Sequence, residues 1–173
     1  YTMIIFANAK INLGLFILSK REDGYHDIAS LKFPIPLYDV LEILPAESFE
    51  LTILGKTIDG DLSDNLIFKA YSILKEEQGI GPVRIVLQKN IPMGAGIGGG
   101  SADATFTLKG LNTYFQLNLS DEVLKEYAGR LGSDCPFFVE NIPQLATGKG
   151  DILRPFELDL KGKYLILLNP GIH

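Results

Sequence analysis

The sequence predicts an α+β fold, with helices packed on a mixed, mainly antiparallel sheet. Three observations carry that expectation. Apolar residues alternate with polar ones in short runs, at Phe49, Leu51 and Ile53 and again at Val83, Ile85 and Leu87, the period of a half-buried strand. Elsewhere Ala104, Leu108, Leu111 and Phe115 recur at helical spacing and mark the buried stripe of an amphipathic helix. Strands and helices follow one another in a mixed order, with no internal repeat and no clear linker. With 173 residues the chain has the size of one ordinary domain, so residues 1–173 are expected to form a single unit with a sizeable core.

In chain order, residues 3–6 and 11–18 read as strands, with Ile11, Leu13, Leu15 and Ile17 sharing one face. Lys10 and Asn12 then share the other face, where both could project into one site; a solvated strand face explains them equally well. Asp23-Gly24 marks a tight turn. Tyr25 and His26 leave it together, either as two rings able to hold a flat ligand or as a packed tyrosine and a surface histidine. Residues 32–35, 39–44 and 49–54 are further strand candidates, confined to edges or broken by Pro34, Pro36 and Pro45.

A polar loop over residues 56–61 leads to Asp64, the expected N-cap of a helix with Leu66, Ile67, Ala70, Tyr71 and Leu74 inward, closed near Gly79. The strand begun at Val83 runs on through Gln88-Lys89-Asn90 into a glycine-rich stretch. A second helix follows, with Ser101 at or near its N-cap. A third starts at Ser120, carries Asp121 and Glu122 in the first turn, and stops at Gly132. Asp134 comes next, against the apolar run 135–138. Residues 144–146 and 163–168 are expected strands, the latter apolar enough to be central.

Composition excludes several classes. Hydrophobic residues make up 46% and charged residues 21%, which is globular. The formal net charge of −5 argues against a nucleic-acid binder working through bulk electrostatics. Cys135 is the single cysteine, which excludes an internal disulfide and fits a reducing compartment. With only His26 and His173 beside it, a Cys/His metal cluster is excluded too. The apolar segment 3–18 is interrupted by Lys10 and Asn12, so neither a signal peptide nor a membrane span is expected, and a cytoplasmic location is.

The chain is organised around Pro92-Met93-Gly94-Ala95-Gly96-Ile97-Gly98-Gly99-Gly100-Ser101-Ala102-Asp103-Ala104. Its glycines leave backbone N–H groups uncovered just ahead of a helix N-terminus, an arrangement suited to an anion and above all a phosphate. A Walker loop requires a lysine after the glycines, and none follows. The dinucleotide fingerprint is matched literally by Gly94, Gly96 and Gly99. It should open a βαβ unit with an acidic residue ending the next strand about 20 residues on, and that distance lands on Ser120-Asp121, where a helix starts. The pattern Pro-x-Gly-x-Gly-x-Gly-Gly-Gly-Ser before a small-residue helix fits from end to end.

That stretch resembles the phosphate loop of the GHMP kinases, which include galactokinase, homoserine kinase, mevalonate kinase and phosphomevalonate kinase. Three more stretches carry the resemblance in the family's order: Ala9-Lys10-Ile11-Asn12-Leu13, Asp23-Gly24-Tyr25-His26, and Leu131-Gly132-Ser133-Asp134-Cys135-Pro136-Phe137-Phe138. The triple glycine and the Asp-Gly-Tyr-His run are similar to the branch whose acceptor is a cytidine diphosphate conjugate of methylerythritol, in non-mevalonate isoprenoid synthesis. The resemblance implies the family's N-terminal ATP-binding domain, a fold shared with ribosomal-protein domains. It implies ATP-dependent phosphorylation of a hydroxyl of that conjugate, with ATP and Mg2+ as cofactors, a small-molecule partner, and neither nucleic acid nor membrane. A homoserine- or mevalonate-type kinase and a non-catalytic nucleotide-binding module are the alternatives; Tyr25 and His26 favour an acceptor bearing a nucleobase.

Roles follow from the same resemblance. Pro92, Gly94, Gly96, Gly98, Gly99 and Gly100 cradle the phosphates, and Ser101 touches a phosphate or the magnesium ion. Lys89 balances nucleotide charge, and Asn65 contacts the adenosine part. Asp134 is the general base, with Lys10 holding it and the acceptor hydroxyl in line; by position alone Asp134 would be a cap or a surface acid. Asn12 supports the acceptor, and Tyr25 and His26 bind its cytosine end. Asp103 is read as a first-turn helix acid and Cys135 as packing. The family continues past this chain's Asn169-Pro170-Gly171-Ile172-His173 into a Ser/Thr-rich motif and a C-terminal domain, so weak or absent turnover is expected of these residues alone.

Overall fold

The structure, a computed structural model, describes residues 1–56 and 61–168. Most of the expected polar loop at 56–61, and the final Asn169–His173, therefore lie outside the described residues.

Two long antiparallel strands, β1 (Met3–Lys20) and β2 (His26–Pro45), are joined through the Asp23-Gly24 turn. Asp23 Oδ1 accepts a hydrogen bond from the Tyr25 N–H at 3.1 Å, a side-chain mimic of a backbone turn. β2 is the hub of the sheet. β1 follows one side of it, while β4 (Val83–Lys89) pairs with residues 40–45 and β5 (Gln144–Thr147) with residues 30–32. β3 (Glu50–Gly55) adds parallel to β4, and β6 (Ile152–Pro155) adds antiparallel to β5. The sheet is thus mixed and mainly antiparallel, as expected.

Prolines do not divide β2. Pro34 and Pro36 fall between the segments paired with β5 and β4, where β2 has a neighbour on one side only. Ala9 lies opposite Ile35 and Asn8 opposite Tyr38, so Pro36 and Leu37 form a bulge, and a missing N–H there removes no ladder bond. β1 is likewise one strand rather than two. Its expected alternation fails toward the hairpin tip, where Leu15, Phe16, Ile17 and Leu18 are all exposed.

Helices α1 (Leu66–Gln78), α2 (Gly99–Tyr114) and α3 (Asp121–Leu131) cover the sheet. Leu41, Ile43, Ile85 and Leu87 from the strands meet Ile67, Leu74, Leu108 and Leu111 from the helices, all fully buried. Each such side chain contributes about 1.5–3 kcal/mol by leaving water. α2 approaches the sheet so closely that a Cβ on Gly110 would collide with the side chains of Ile5 and Ile43.

Local corrections have local causes. Asp64 does not cap α1, because it ends a 3-10 turn, Leu62–Asp64; Asn65 is the cap, its Oδ1 accepting from the Ile67 N–H at 2.9 Å. Ser101 is near the N-cap of α2, as expected, without being the cap itself. The cap is Gly98, whose φ of 73° is reached cheaply only without a Cβ, and Ser101 lies in the first turn. Gly79 and Gly132 end α1 and α3 as expected. Two four-residue elements, α4 (Phe137–Glu140) and β6, were not anticipated. Residues 163–168 form no strand: Tyr164, Ile166 and Leu168 are 98%, 83% and 89% exposed. Without a neighbouring strand among the described residues, β propensity alone does not hold an extended segment in a ladder. No helix among the described residues is long and apolar enough to cross a membrane.

Candidate active site

β4 delivers the chain into the glycine loop. Gly94, Gly96 and Gly98 have φ of 67°, 70° and 73°, alternating with residues of ordinary φ, the kind of alternation from which anion-binding backbone nests are made. A Cβ on Gly98 would lie 3.0 Å from Phe138 Cζ and 3.2 Å from Lys10 Cε, so the backbone angle disfavours a side chain and the tight space adds to the strain. Behind the loop, the first-turn N–H groups of α2 at Gly99, Gly100 and Ser101 lack intrahelical acceptors and carry the positive end of the helix dipole. Pro92 and Met93 lead into this turn.

Lys10 ties the loop to Asp134. Its backbone N–H donates to Ile97 O at 2.9 Å, and its Nζ donates to Gly96 O at 2.9 Å. The same Nζ lies 3.2 Å from Asp134 Oδ2 and 3.4 Å from Asn12 Oδ1. Lys10, Asn12, Asp134 and the loop are therefore brought together, as the motifs implied. A further residue was missed. Lys32 Nζ lies 2.8 Å from Asp134 Oδ1 and donates to Gly150 O at 3.1 Å. Burial pushes the Asp134 carboxyl up, but the hydrogen bond and charge of Lys32, followed by those of Lys10, outweigh it and hold the group below the usual carboxylate range. An ionised carboxylate offers about four lone-pair sites, and the two lysines leave some for a hydroxyl proton.

Lys89, expected to balance nucleotide charge, stands just before the loop and has protein partners of its own. Its ammonium is fully buried between Asp39 Oδ2 and Asp103 Oδ2, the latter at 2.6 Å, beneath the loop rather than on its open side. Asp39 Oδ1 accepts from the N–H groups of Asn90 and Ile91 at 2.6 and 2.8 Å, fixing the chain where it enters the loop. Asp103 is not a first-turn acid, since it lies one residue past the first turn of α2. It is buried, and Oδ1 has no hydrogen-bond partner among the described residues. Burial pushes its carboxyl up to about 7, against the Lys89 charge and with the help of Asp39. One proton on Asp103 makes this buried cluster neutral, which is how a low-dielectric site with two acids and one base avoids a net charge.

A cavity of about 360 Å3 opens beside the loop, lined by Leu51, Asn65, Leu66, Met93, Gly100 and Asp103 among others. Asn65 thus both caps α1 and lines a space adjoining the glycine loop. Tyr25 and His26 sit at the exposed hairpin tip, and Lys149 Nζ from the β5–β6 turn lies 5.1 Å from the Tyr25 ring centroid. That turn also supplies the Gly150 carbonyl held by Lys32. Cys135 is buried, and burial pushes its thiol up, consistent with packing. Among the described residues no cluster of three His, Cys, Asp or Glu side chains could hold a metal ion. A magnesium ion held chiefly by nucleotide phosphates, with one hydroxyl from Ser101, fits such a donor set, because magnesium habitually takes substrate phosphates and water rather than an all-protein cage.

Comparison with known proteins agrees with this geometry. Residues 65–141 match the family model for the GHMP kinases N terminal domain. A Cytophaga hutchinsonii protein named 4-diphosphocytidyl-2-C-methyl-D-erythritol kinase is 51% identical over 172 residues, covering 99% of this chain and 64% of the relative. A Bacteroides fragilis protein of the same name is 51% identical over 174 residues, 98% of this chain and again 64% of the relative. A crystal structure of 4-(cytidine 5'-diphospho)-2C-methyl-D-erythritol kinase superposes with a TM-score of 0.79 at 39% identity, over 91% of this chain and 56% of that one. The Methanococcus jannaschii mevalonate kinase, at 16% identity and a TM-score of 0.66, shares the fold alone. This chain spans 64% of the length of the curated relatives it matches. Four motifs in order, one fold and these likenesses converge on the GHMP kinases, whose N terminal domain model residues 65–141 match.

Proposed function

We propose that the protein carrying this chain transfers the γ-phosphoryl group of ATP to a hydroxyl of 4-diphosphocytidyl-2-C-methyl-D-erythritol, a step of non-mevalonate isoprenoid synthesis in the cytoplasm. The observation that carries this reading is the single ammonium of Lys10, 2.9 Å from Gly96 O in the phosphate loop and 3.2 Å from Asp134 Oδ2. A base is thereby held one side chain away from a phosphate cradle, as phosphoryl transfer to a hydroxyl requires. The choice of acceptor rests on the names of the relatives and on the exposed pair Tyr25 and His26.

In this reading the N–H groups of residues 94–101 bind the nucleotide's phosphates and neutralise charge that spreads over the phosphoryl oxygens. Asn65 and the adjoining cavity take the adenosine part. Magnesium, when bound, supplies further charge neutralisation, and Ser101 is the residue that would touch it. Asp134 accepts the proton of the acceptor hydroxyl while Lys10 keeps the two aligned. Asn12 supports the acceptor, and Tyr25 and His26 hold its cytosine by stacking and hydrogen bonding. Lys89 acts from below, by fixing Asp39 and Asp103 under the loop. The relatives' extra length would supply a C-terminal domain completing the acceptor cleft.

The test is phosphoryl transfer by the full-length protein from ATP to the cytidine conjugate, followed by 31P NMR, with homoserine and mevalonate as competing acceptors. Transfer to the conjugate alone is expected. Transfer to mevalonate or homoserine but not to the conjugate would overturn the assignment of acceptor.

A further inference from the structure

We propose that Lys32 is a positioning residue of this reaction, fixing the Asp134 carboxylate opposite Lys10 so that the base is held from two strands at once. The proposal rests on the kinase reading above and extends it to a residue outside the motifs that carry the family resemblance.

The geometry is symmetrical. Lys32 Nζ lies 2.8 Å from Asp134 Oδ1, and Lys10 Nζ lies 3.2 Å from Oδ2. Both lysine side chains are buried, whereas Asp134 is 32% exposed. The carboxylate is therefore gripped from inside the fold and reached from outside. Lys10 comes from β1 and Lys32 from β2, where Lys32 lies opposite Asn12 in the ladder. The third anchor, Lys32 Nζ to Gly150 O at 3.1 Å, gives the ammonium a fixed direction, since its three donors then have two set acceptors. A carbonyl alone would not compensate a buried ammonium, so Asp134 is the partner on which the burial of Lys32 depends.

A carboxylate pinned at one oxygen can still turn about its Cβ–Cγ bond. Pinned at both, it presents its remaining lone pairs in one orientation, which is what proton abstraction from an aligned hydroxyl requires. The titratable and charged groups facing Asp134 are Lys10 on β1, Lys32 on β2 and the neighbouring Cys135 thiol. Removing Lys32 removes one favourable charge within direct contact, which moves the Asp134 titration upward by about one pH unit or more. Misorientation of the base lowers kcat by about 10- to 100-fold. KM for ATP is unaffected, because Lys10 still holds the loop.

The experiment compares wild type, Lys32→Gln and Lys32→Arg in the full-length protein. It measures the pH dependence of kcat and, separately, the 13C NMR titration of the Asp134 carboxyl, assigned by its loss in Asp134→Asn. Lys32→Gln is expected to lower kcat, leave KM for ATP unchanged, and displace both the acid limb and the carboxyl titration to higher pH. Lys32→Arg is expected to keep both near their wild-type positions. A Lys32→Gln enzyme with unchanged kcat and an unchanged acid limb would overturn the proposal. If Lys32→Gln does not fold, Lys32→Arg decides, and an upward displacement of its carboxyl titration counts against the proposal. If the wild type transfers nothing to the conjugate, the kinase reading has failed. The carboxyl titration then still decides whether Lys32 holds Asp134: unchanged in Lys32→Gln, it overturns that hold.

Discussion

Beneath the phosphate loop, the Lys89 ammonium and the carboxylates of Asp39 and Asp103 are closed off from solvent, whereas Tyr25 at the hairpin tip keeps 62% of its surface exposed. The side proposed to take the nucleotide is built from backbone: N–H groups set by glycine angles, a helix terminus, and a buried charge cluster that locks the entry strand to β2. The side proposed to take the acceptor is built from side chains on a two-stranded projection, where Leu15, Phe16, Ile17 and Leu18 also remain exposed. A phosphate is recognised by charge and shape, so its cradle must be rigid before it arrives. A nucleobase is recognised by rings and hydrogen bonds that adjust on contact. Lys10, Lys32 and Asp134 lie where the two kinds of construction meet.

Breaking the rigid side has the largest expected effect. Lys89→Met leaves Asp39 and Asp103 buried without their cation and should cost about 3–5 kcal/mol of stability, read from the urea midpoint. The same cluster predicts a pH effect with a definite sign. Asp103 titrates near 7 in the fold and near 3.9 in the unfolded chain, so between those values the folded state holds a proton that the unfolded state has lost. Asp103 therefore makes stability fall as pH rises from about 4 to about 7. Asp103→Asn should flatten that slope, as measured by urea denaturation across the range. Next, Gly98→Ala meets a φ of 73° and crowds Phe138 and Lys10; strain of about 1–3 kcal/mol should weaken ATP binding about tenfold or more by calorimetry while far-UV circular dichroism stays unchanged. On the adaptable side, Tyr25→Ala should raise the acceptor KM about tenfold, the scale of one lost base stack, and leave KM for ATP alone. Equal loss of both affinities in Tyr25→Ala would erase the distinction between the two sides.

Much of this was legible wherever a residue type is demanded by backbone or chemistry. The glycine loop is such a case, and Lys10, Asn12 and Asp134 converge as the motifs implied. The burial of Lys89 does have a signal in the sequence. Val83, Ile85 and Leu87 mark the inward parity of β4, and Lys89 continues that parity, so its ammonium had to find buried partners. Asp39 keeps the parity of Leu41 and Ile43 in the same way. Lys32 was beyond such reasoning. Counting back from the Lys20–His26 pair at the turn would set it opposite Gly14, but two bulges in β1 set it opposite Asn12 and beside the site. Bulges depend on tertiary packing and leave little trace in a single sequence. The expected strand at 163–168 failed for a related reason: apolar alternation signals a surface to be covered, not the presence of the strand that covers it.

The proposed division is that Asp134 serves the transfer step, while the loop, Asn65 and the adjoining cavity serve the nucleotide. Its most direct test is Asp134→Ala in the full-length protein, with ATP affinity measured by calorimetry and turnover measured with the cytidine conjugate. A fall in kcat of about 10²- to 10⁴-fold is expected, with ATP affinity unchanged. Turnover retained within a few-fold of wild type would contradict the division.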